Sequence, residues 1–168
     1  ALHFERQEYE SRQLKTREQM SARGLDGMLI FSQESMYYLT GYDTFGFCFF
    51  QCLFLGAGGE LALLTRSADY RQAQHTSMLD DIRIWTDGAG ATPAAQLKDM
   101  LESLGARGKT LGIEYEAHGL KANDGRAVDA ELEGYCTLVD ASDLVTRLRA
   151  VKSEVELDYV RRAGELGD

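Results

Sequence analysis

Phe47-Cys-Phe-Phe-Gln-Cys-Leu-Phe-Leu55, the glycine cluster Gly56-Ala-Gly-Gly59 and the run Leu61-Ala-Leu-Leu-Thr65 together decide the architecture of this chain. The first run is apolar almost throughout, so both of its faces must be covered, which places a strand near the middle of a sheet. The glycines then turn the chain into the second run and close a hairpin. They do not read as a phosphate loop, because such a loop must open a helix whose amides point at the ligand, and here a strand follows.

Working outward, residues 4–23 are rich in Glu, Arg, Gln and Lys and read as a surface helix, with Gly24-Leu25 as its glycine C-cap. Residues 27–32 form a short β-prone run, and residues 32–39 a short helix. Beyond the hairpin the pattern alternates. Residues 67–77 predict a helix and residues 82–85 a strand. Thr92-Pro93 supplies an N-cap and an N1 proline for a helix with Leu97, Met100, Leu101 and Leu104 on one face, ended by Gly105. Residues 110–115 predict a strand, 120–132 a polar helix and 137–140 the last strand. Strands alternating with helices of this length require crossovers. The expected fold is therefore α/β, a mixed, mostly parallel sheet of about six strands with helices on both faces.

The final twenty residues carry a separate signal. Ser153 and Glu156 stand at capping-box spacing and start a helix at Glu154, on which Val155, Tyr159, Val160, Ala163 and Leu166 share one stripe. Too little chain follows to cover that stripe. The expected organisation is one domain over residues 1–150 and, over residues 151–168, the first helix of a connection to something further on.

A chain of 168 residues is long enough to bury about 70% of its unfolded surface without disulfide or metal. The net charge of −9 argues against nucleic acid or an anionic membrane as partner. Its acidity is concentrated late, with eight acids against two bases between Thr110 and Val145, and reads as a solvated face. No run approaches a membrane span, and the amino end has no signal-peptide core. Ala1 in place of methionine reads as a trimmed or engineered start. Cys48, Cys52 and Cys136 form no CxxC pair; Cys48 and Cys52 are expected as core thiols, which suits a reducing cytoplasm.

The residues that catalysis would need do not converge. His3, His75 and His118 lie in unrelated settings, without HxxxH, HExxH or Gly-x-Ser-x-Gly, so no catalytic and no metal-ligating residue is assigned. What stands out is Tyr37-Tyr-Leu-Thr-Gly-Tyr-Asp-Thr-Phe-Gly-Phe-Cys-Phe-Phe50, in which Gly41 and Gly46 bracket a short loop. Tyr38, Phe49, Phe50 and Phe54 read as core. Tyr42, Asp43 and Phe45 are expected to be exposed as a recognition edge, since a surface aromatic beside a carboxylate suits binding.

Three segments resemble a known family. The tail Arg149-x-x-Lys152-Ser153-x-x-Glu156-Leu157-x-x-x-Arg161-x-Ala163 is similar to the junction at which the amino-terminal domain of creatinase and prolidase-type proteins meets a pita-bread metallopeptidase domain. Met36-Tyr-Tyr-Leu-Thr-Gly-Tyr42 resembles the family's Tyr-Leu-Thr-Gly segment. The stretch from Glu8-Tyr-x-x-Arg12 to Gly24-Leu-Asp-Gly27 resembles its first helix and first strand entry.

The resemblance implies a non-catalytic amino-terminal domain ahead of a catalytic domain with two divalent metal ions, such as manganese, whose bridging hydroxide attacks a carbonyl. No cofactor is expected in this chain itself. The implied partners are its own carboxy-terminal domain, a second copy in a homodimer, and a small-molecule or dipeptide substrate, with Tyr42, Asp43, Phe45 and Phe47 as the pocket edge. Creatinase supplies an arginine from this segment, whereas residues 45–55 here hold no Arg or Lys, which disfavours creatine and suits an Xaa-Pro dipeptide or a compact osmolyte. The implied parent is an Xaa-Pro dipeptidase or aminopeptidase P. The alternatives are an ectoine hydrolase, a creatinase-like amidinohydrolase or lyase, or the protein-binding module of a peptidase-like pseudo-enzyme.

Overall fold

A computed structural model describes residues 2–167; the expectations about Ala1 and about the terminal Asp168 lie outside them. Six strands form one sheet: β1 (Gly27–Ile30), β2 (Cys52–Gly56), β3 (Leu61–Arg66), β4 (Asp81–Trp85), β5 (Thr110–Ile113) and β6 (Thr137–Asp140), in the order β4-β3-β2-β1-β5-β6. β2 runs antiparallel to both β1 and β3, and the other three pairings are parallel. The hairpin therefore reverses one strand inside an otherwise parallel sheet.

Among the described residues seven α-helices accompany it: α1 (Arg6–Ala22), α2 (Gln33–Thr40), α3 (Tyr70–Thr76), α4 (Pro93–Ser103), α5 (Ala122–Leu132), α6 (Asp143–Ala150) and α7 (Glu154–Gly167). Strand alternation sends Leu29, Phe31, Cys52, Phe54 and Leu64 to the face covered by α4 and α5, through Leu97, Leu101, Val128 and Leu132. Met28, Ile30, Leu53, Leu55 and Leu63 face the other way, against Met20, Met36, Leu39, Ala73, Leu144 and Val145 of α1, α2, α3 and α6. Both faces of the central strands are dry, as a sheet with crossovers on each side demands.

The reading of residues 47–55 needs correction. The apolar run 47–55 is not one strand. Gly46–Cys48 is a 3₁₀ turn and β2 begins only at Cys52. The Phe50 carbonyl, which a longer strand would use in the ladder, instead accepts a 2.8 Å hydrogen bond from the Trp85 indole Nε1. Cys48 is consequently exposed rather than in the core, while Cys52 is buried. One helix was not expected from the sequence, α6, whose Leu144, Val145 and Leu148 turn inward.

The thiols supply a test of this layout. Burial pushes the Cys52 thiol far above its usual range, whereas Cys48 is solvent-facing. Because the thiolate is the reactive form, a disulfide-exchange reagent should label Cys48 in the native chain and reach Cys52 only after denaturation. Native labelling of Cys52 at the rate of Cys48 would contradict the position of β2.

Candidate functional site: an aromatic loop beside a clamped helix junction

The loop begins where α2 stops. Gly41 adopts a left-handed conformation (φ 79°), and a Cβ there would press on the Tyr9 hydroxyl and the Thr76 carbonyl, so the turn accepts only glycine without strain. The next six residues alternate inward and outward, with Tyr42, Thr44 and Gly46 buried and Asp43, Phe45 and Phe47 exposed.

This alternation corrects the expectation for Tyr42. Its side chain is fully buried, and its phenol lies 3.0 Å from Gln51 Oε1 and 3.1 Å from Thr65 Oγ1. Burial pushes that phenol up, so it remains a neutral hydrogen-bonding group. Tyr42 holds the loop from beneath and is not part of its outer edge.

Asp43 and Phe45 are exposed as expected, and so is Phe47, although the apolar run places it in a covered strand. Phe45 is 87% exposed and Phe47 47%. Phe49, expected in the core, is also exposed, and its ring carries the Arg66 guanidinium 3.5 Å from the centroid. The stretch without Arg or Lys thus acquires a cation from the end of β3, a position twenty residues from the loop that no local reading could connect to it. Arg66 is paired with Asp69 at 3.2 Å and Asp87 at 3.6 Å, so its charge is largely neutralised.

Hydrogen bonds hold the loop in place despite its exposure. Gln33 Nε2 donates to the Thr44 carbonyl at 2.7 Å, the Gly46 amide donates to Thr44 Oγ1 at 2.7 Å, and the Asp43 amide donates to Thr76 Oγ1 at 3.1 Å. Gly46 rests on the Asp69 carboxylate so closely that a Cβ would come within 2.6 Å of Oδ2. Anchors on α2, α3 and the end of β3 thus present two phenyl rings to solvent with little freedom left to lose on binding.

A cleft of about 780 Å³ adjoins the loop through Asp43 and separates α2 from the start of α7, with Arg12, Tyr37, Tyr38, Arg149 and Tyr159 in its walls. At its base the two motif segments meet. The capping box forms as its spacing requires, with the Ser153 amide donating to Glu156 Oε2 at 2.9 Å and the Glu156 amide to Ser153 Oγ at 3.3 Å. Ser153 Oγ donates in turn to Glu8 Oε1 at 2.7 Å.

Arg12, only 3% exposed, joins these groups. It pairs with Glu8 at 3.2 Å, faces Glu156 Oε1 at 3.4 Å without hydrogen-bond geometry, and donates to the Tyr38 carbonyl at 3.0 Å. Its guanidinium lies 4.3 Å from the Phe4 ring centroid and 4.6 Å from that of Tyr38. The signal for its burial was present in the sequence, since Tyr9, Arg12, Thr16 and Met20 recur at helical spacing. Past this anchorage α7 has no buried residue among the described ones, and its Val155, Tyr159, Val160 and Leu166 stripe is exposed as expected.

The family model for the creatinase/prolidase N-terminal domain matches residues 12–151. The chain belongs to this family. The match ends where α6 gives way to α7. Over 173 aligned residues this creatinase/prolidase N-terminal domain is 32% identical to an ectoine hydrolase of Halomonas elongata, covering 99% of the chain and 43% of that protein. It is 34% identical to an uncharacterised hydrolase/peptidase, y4tM, of Sinorhizobium fredii, over 97% of the chain and again 43% of that protein. The chain therefore spans less than half the length of the curated relatives it matches.

Among solved structures, a dipeptidase from Pyrococcus horikoshii superposes with a TM-score of 0.71 at 26% identity, over 88% of this chain and 38% of that one. The N-terminal domain of the cytoplasmic peptidase PepQ from Mycobacterium tuberculosis superposes with a TM-score of 0.65 at 25% identity, over 82% of this chain and 98% of that one. The mixed six-stranded sheet is that of the pita-bread peptidase N-terminal domains.

The two metal ions that the family implies do not fit the residues of this creatinase/prolidase N-terminal domain. Among the described residues no group of three or more His, Cys, Asp and Glu side chains is placed to hold a metal ion. No chemical step is assigned to it. No helix among the described residues is long and apolar enough to cross a membrane.

Proposed function

We propose that this chain is the non-catalytic amino-terminal domain of a metal-dependent hydrolase, and that Asp43, Phe45 and Phe47 form one edge of a substrate pocket completed by a catalytic domain, in a homodimer. The observation that carries this reading is the pair of phenyl rings held outward on a tightly anchored loop, an arrangement that is costly to maintain unless something apolar covers it. Phe45 and Phe47 supply apolar contact area, and Asp43 supplies a carboxylate beside them for an ammonium or imino group. Tyr42 contributes through the buried bonds that fix the loop.

On this reading the substrate is an Xaa-Pro dipeptide or a compact zwitterion. The likeness to an ectoine hydrolase across almost the whole chain favours the second. The two divalent cations belong to the catalytic domain, where they would supply the Lewis acid and the activated water. The exposed α7 stripe is the face on which that domain packs.

The isolated chain, incubated with manganese and either an Xaa-Pro dipeptide or ectoine, should show no turnover. Turnover by this chain would mean that the chemistry lies within it and would end the non-catalytic reading. In the full-length protein, substrate profiling separates the dipeptidase from the ectoine-type hydrolase. Loss of metal binding there would point instead to a protein-binding role.

A further inference from the structure

β1 and β5 are parallel neighbours whose connections leave in opposite directions, through α2 to β2 on one side and through α5 to β6 on the other. At such a switch point a crevice opens at the carboxyl ends of the strands, where open α/β sheets take their ligands. In this chain the crevice is occupied by a side chain of its own. Glu114, 2% exposed, accepts the Phe31 and Ser32 amides on Oε1, both at 3.0 Å, and the Ser35 hydroxyl on Oε2 at 2.7 Å. The carboxylate therefore bridges the exit of β1 and the first turn of α2, where the helix dipole favours negative charge. Burial is the larger influence and leaves its carboxyl above the usual range, while the three donors pull it part of the way down.

The same connection also reaches the aromatic loop. A Cβ on Gly119 would lie 2.9 Å from the Phe31 carbonyl oxygen and 3.1 Å from that of Phe47. Residues 114–119 thus pass directly beneath both the β1 exit and the loop. From Glu114 the chain of contacts runs through α2 to Gln33, whose side chain holds the Thr44 carbonyl.

We propose that Glu114 is a resident anion filling the ligand crevice of this fold, and that Glu114 and Gly119 are the positioning residues of the aromatic loop. The proposal rests on the pocket-edge reading only for what the loop is positioned to do. A cavity of about 220 Å³ beside Glu114 reaches one of these donors, Ser32, and is lined by the cationic Arg149 as well as by the acidic Glu34 and Glu116, so a small carboxylate entering after Glu114 is removed meets charge of both signs.

The test is amide hydrogen exchange on the 168-residue chain, with no substrate present. In Glu114→Ala, exchange at Phe31, Ser32 and residues 43–47 should accelerate by roughly tenfold to a hundredfold, the effect of removing a charged acceptor, while Leu53 and Leu63 in the hairpin keep their protection. Sodium formate should restore that protection, and sodium chloride at equal ionic strength should not. Gly119→Ala should accelerate exchange at residues 43–49 with no response to formate.

Unchanged exchange in Glu114→Ala, acceleration spread equally over the hairpin, or acceleration that formate fails to reverse would each overturn the proposal. If Glu114→Ala does not fold, Glu114→Gln decides: it keeps the volume, and it should show the same localised acceleration, whereas wild-type exchange would remove the need for an anion. A negative outcome leaves the pocket edge standing. That reading falls instead if Phe45 and Phe47 prove irrelevant to the full-length protein's KM.

Discussion

Arg12→Met should lower the unfolding free energy of this chain by about 3 kcal/mol, and α7 should lose its amide protection before the sheet does. The size follows from what methionine leaves behind. Breaking a buried pair by removing one partner costs about 3–5 kcal/mol because the remaining charge is stranded. Here Glu8 and Glu156 keep 19% and 17% side-chain exposure and so retain some water, which places the cost at the lower end. The stacked contacts of the guanidinium with Phe4 and Tyr38 disappear with it.

The localisation follows from geometry. α7 touches the domain mainly through its first turn, by Ser153 to Glu8 and Arg12 to Glu156, and through Tyr159, whose hydroxyl donates to the His3 carbonyl at 2.8 Å and whose ring packs edge-on against Phe4. Urea denaturation and residue-resolved exchange measure the two effects. Combining Arg12→Met with Glu8→Gln and Glu156→Gln should recover most of the loss, because an apolar or neutral trio is cheaper to bury than two unpaired carboxylates. A loss below about 1 kcal/mol for Arg12→Met, the size of an ordinary surface pair, would mean that the junction is not clamped by charge.

In the full-length protein, replacing both Phe45 and Phe47 by alanine should reduce kcat/KM about thirtyfold or more, mostly through KM. Truncating aromatic anchors that become buried on binding costs on the order of 2–4 kcal/mol, and uniform binding lost in this way appears in KM. The stability of the isolated chain should change by no more than about 0.5 kcal/mol, because the side chains removed are exposed in it. That contrast separates recognition from folding. Tyr42→Phe should do the reverse, destabilising the chain by about 1 kcal/mol through the lost bonds to Gln51 and Thr65. Unaltered KM in the double alanine variant would retire the aromatic edge.

Much of the fold was legible because its signals are local. Pro93 and Gly105 bound α4, the Ser153 and Glu156 spacing produced a formed capping box, and the glycines at 56–59 closed the hairpin between β2 and β3. The errors have identifiable causes. Residues 47–51 have the composition of a strand, but their backbone is diverted by a 3₁₀ turn and by the bond from Trp85 to Phe50, thirty-five positions away. α6 was missed because its inward face is short, only Leu144, Val145 and Leu148.

The candidate site divides along the same line. The sequence determined that an aromatic loop follows α2, that a capped helix begins at Glu154, and that this helix carries an apolar stripe, since composition, turn chemistry and helical spacing act over a few residues. Tertiary structure alone decided which rings of that loop face outward, with Tyr42 turned in and Phe45 out. It alone brought Arg66 to Phe49, Arg12 to Glu156 and Glu114 to the exit of β1. Each of those pairings joins residues 17 to 144 positions apart. Burial of a charge depends on which partner the fold delivers to it, and that choice is made by the packing of whole elements rather than by any stretch of chain.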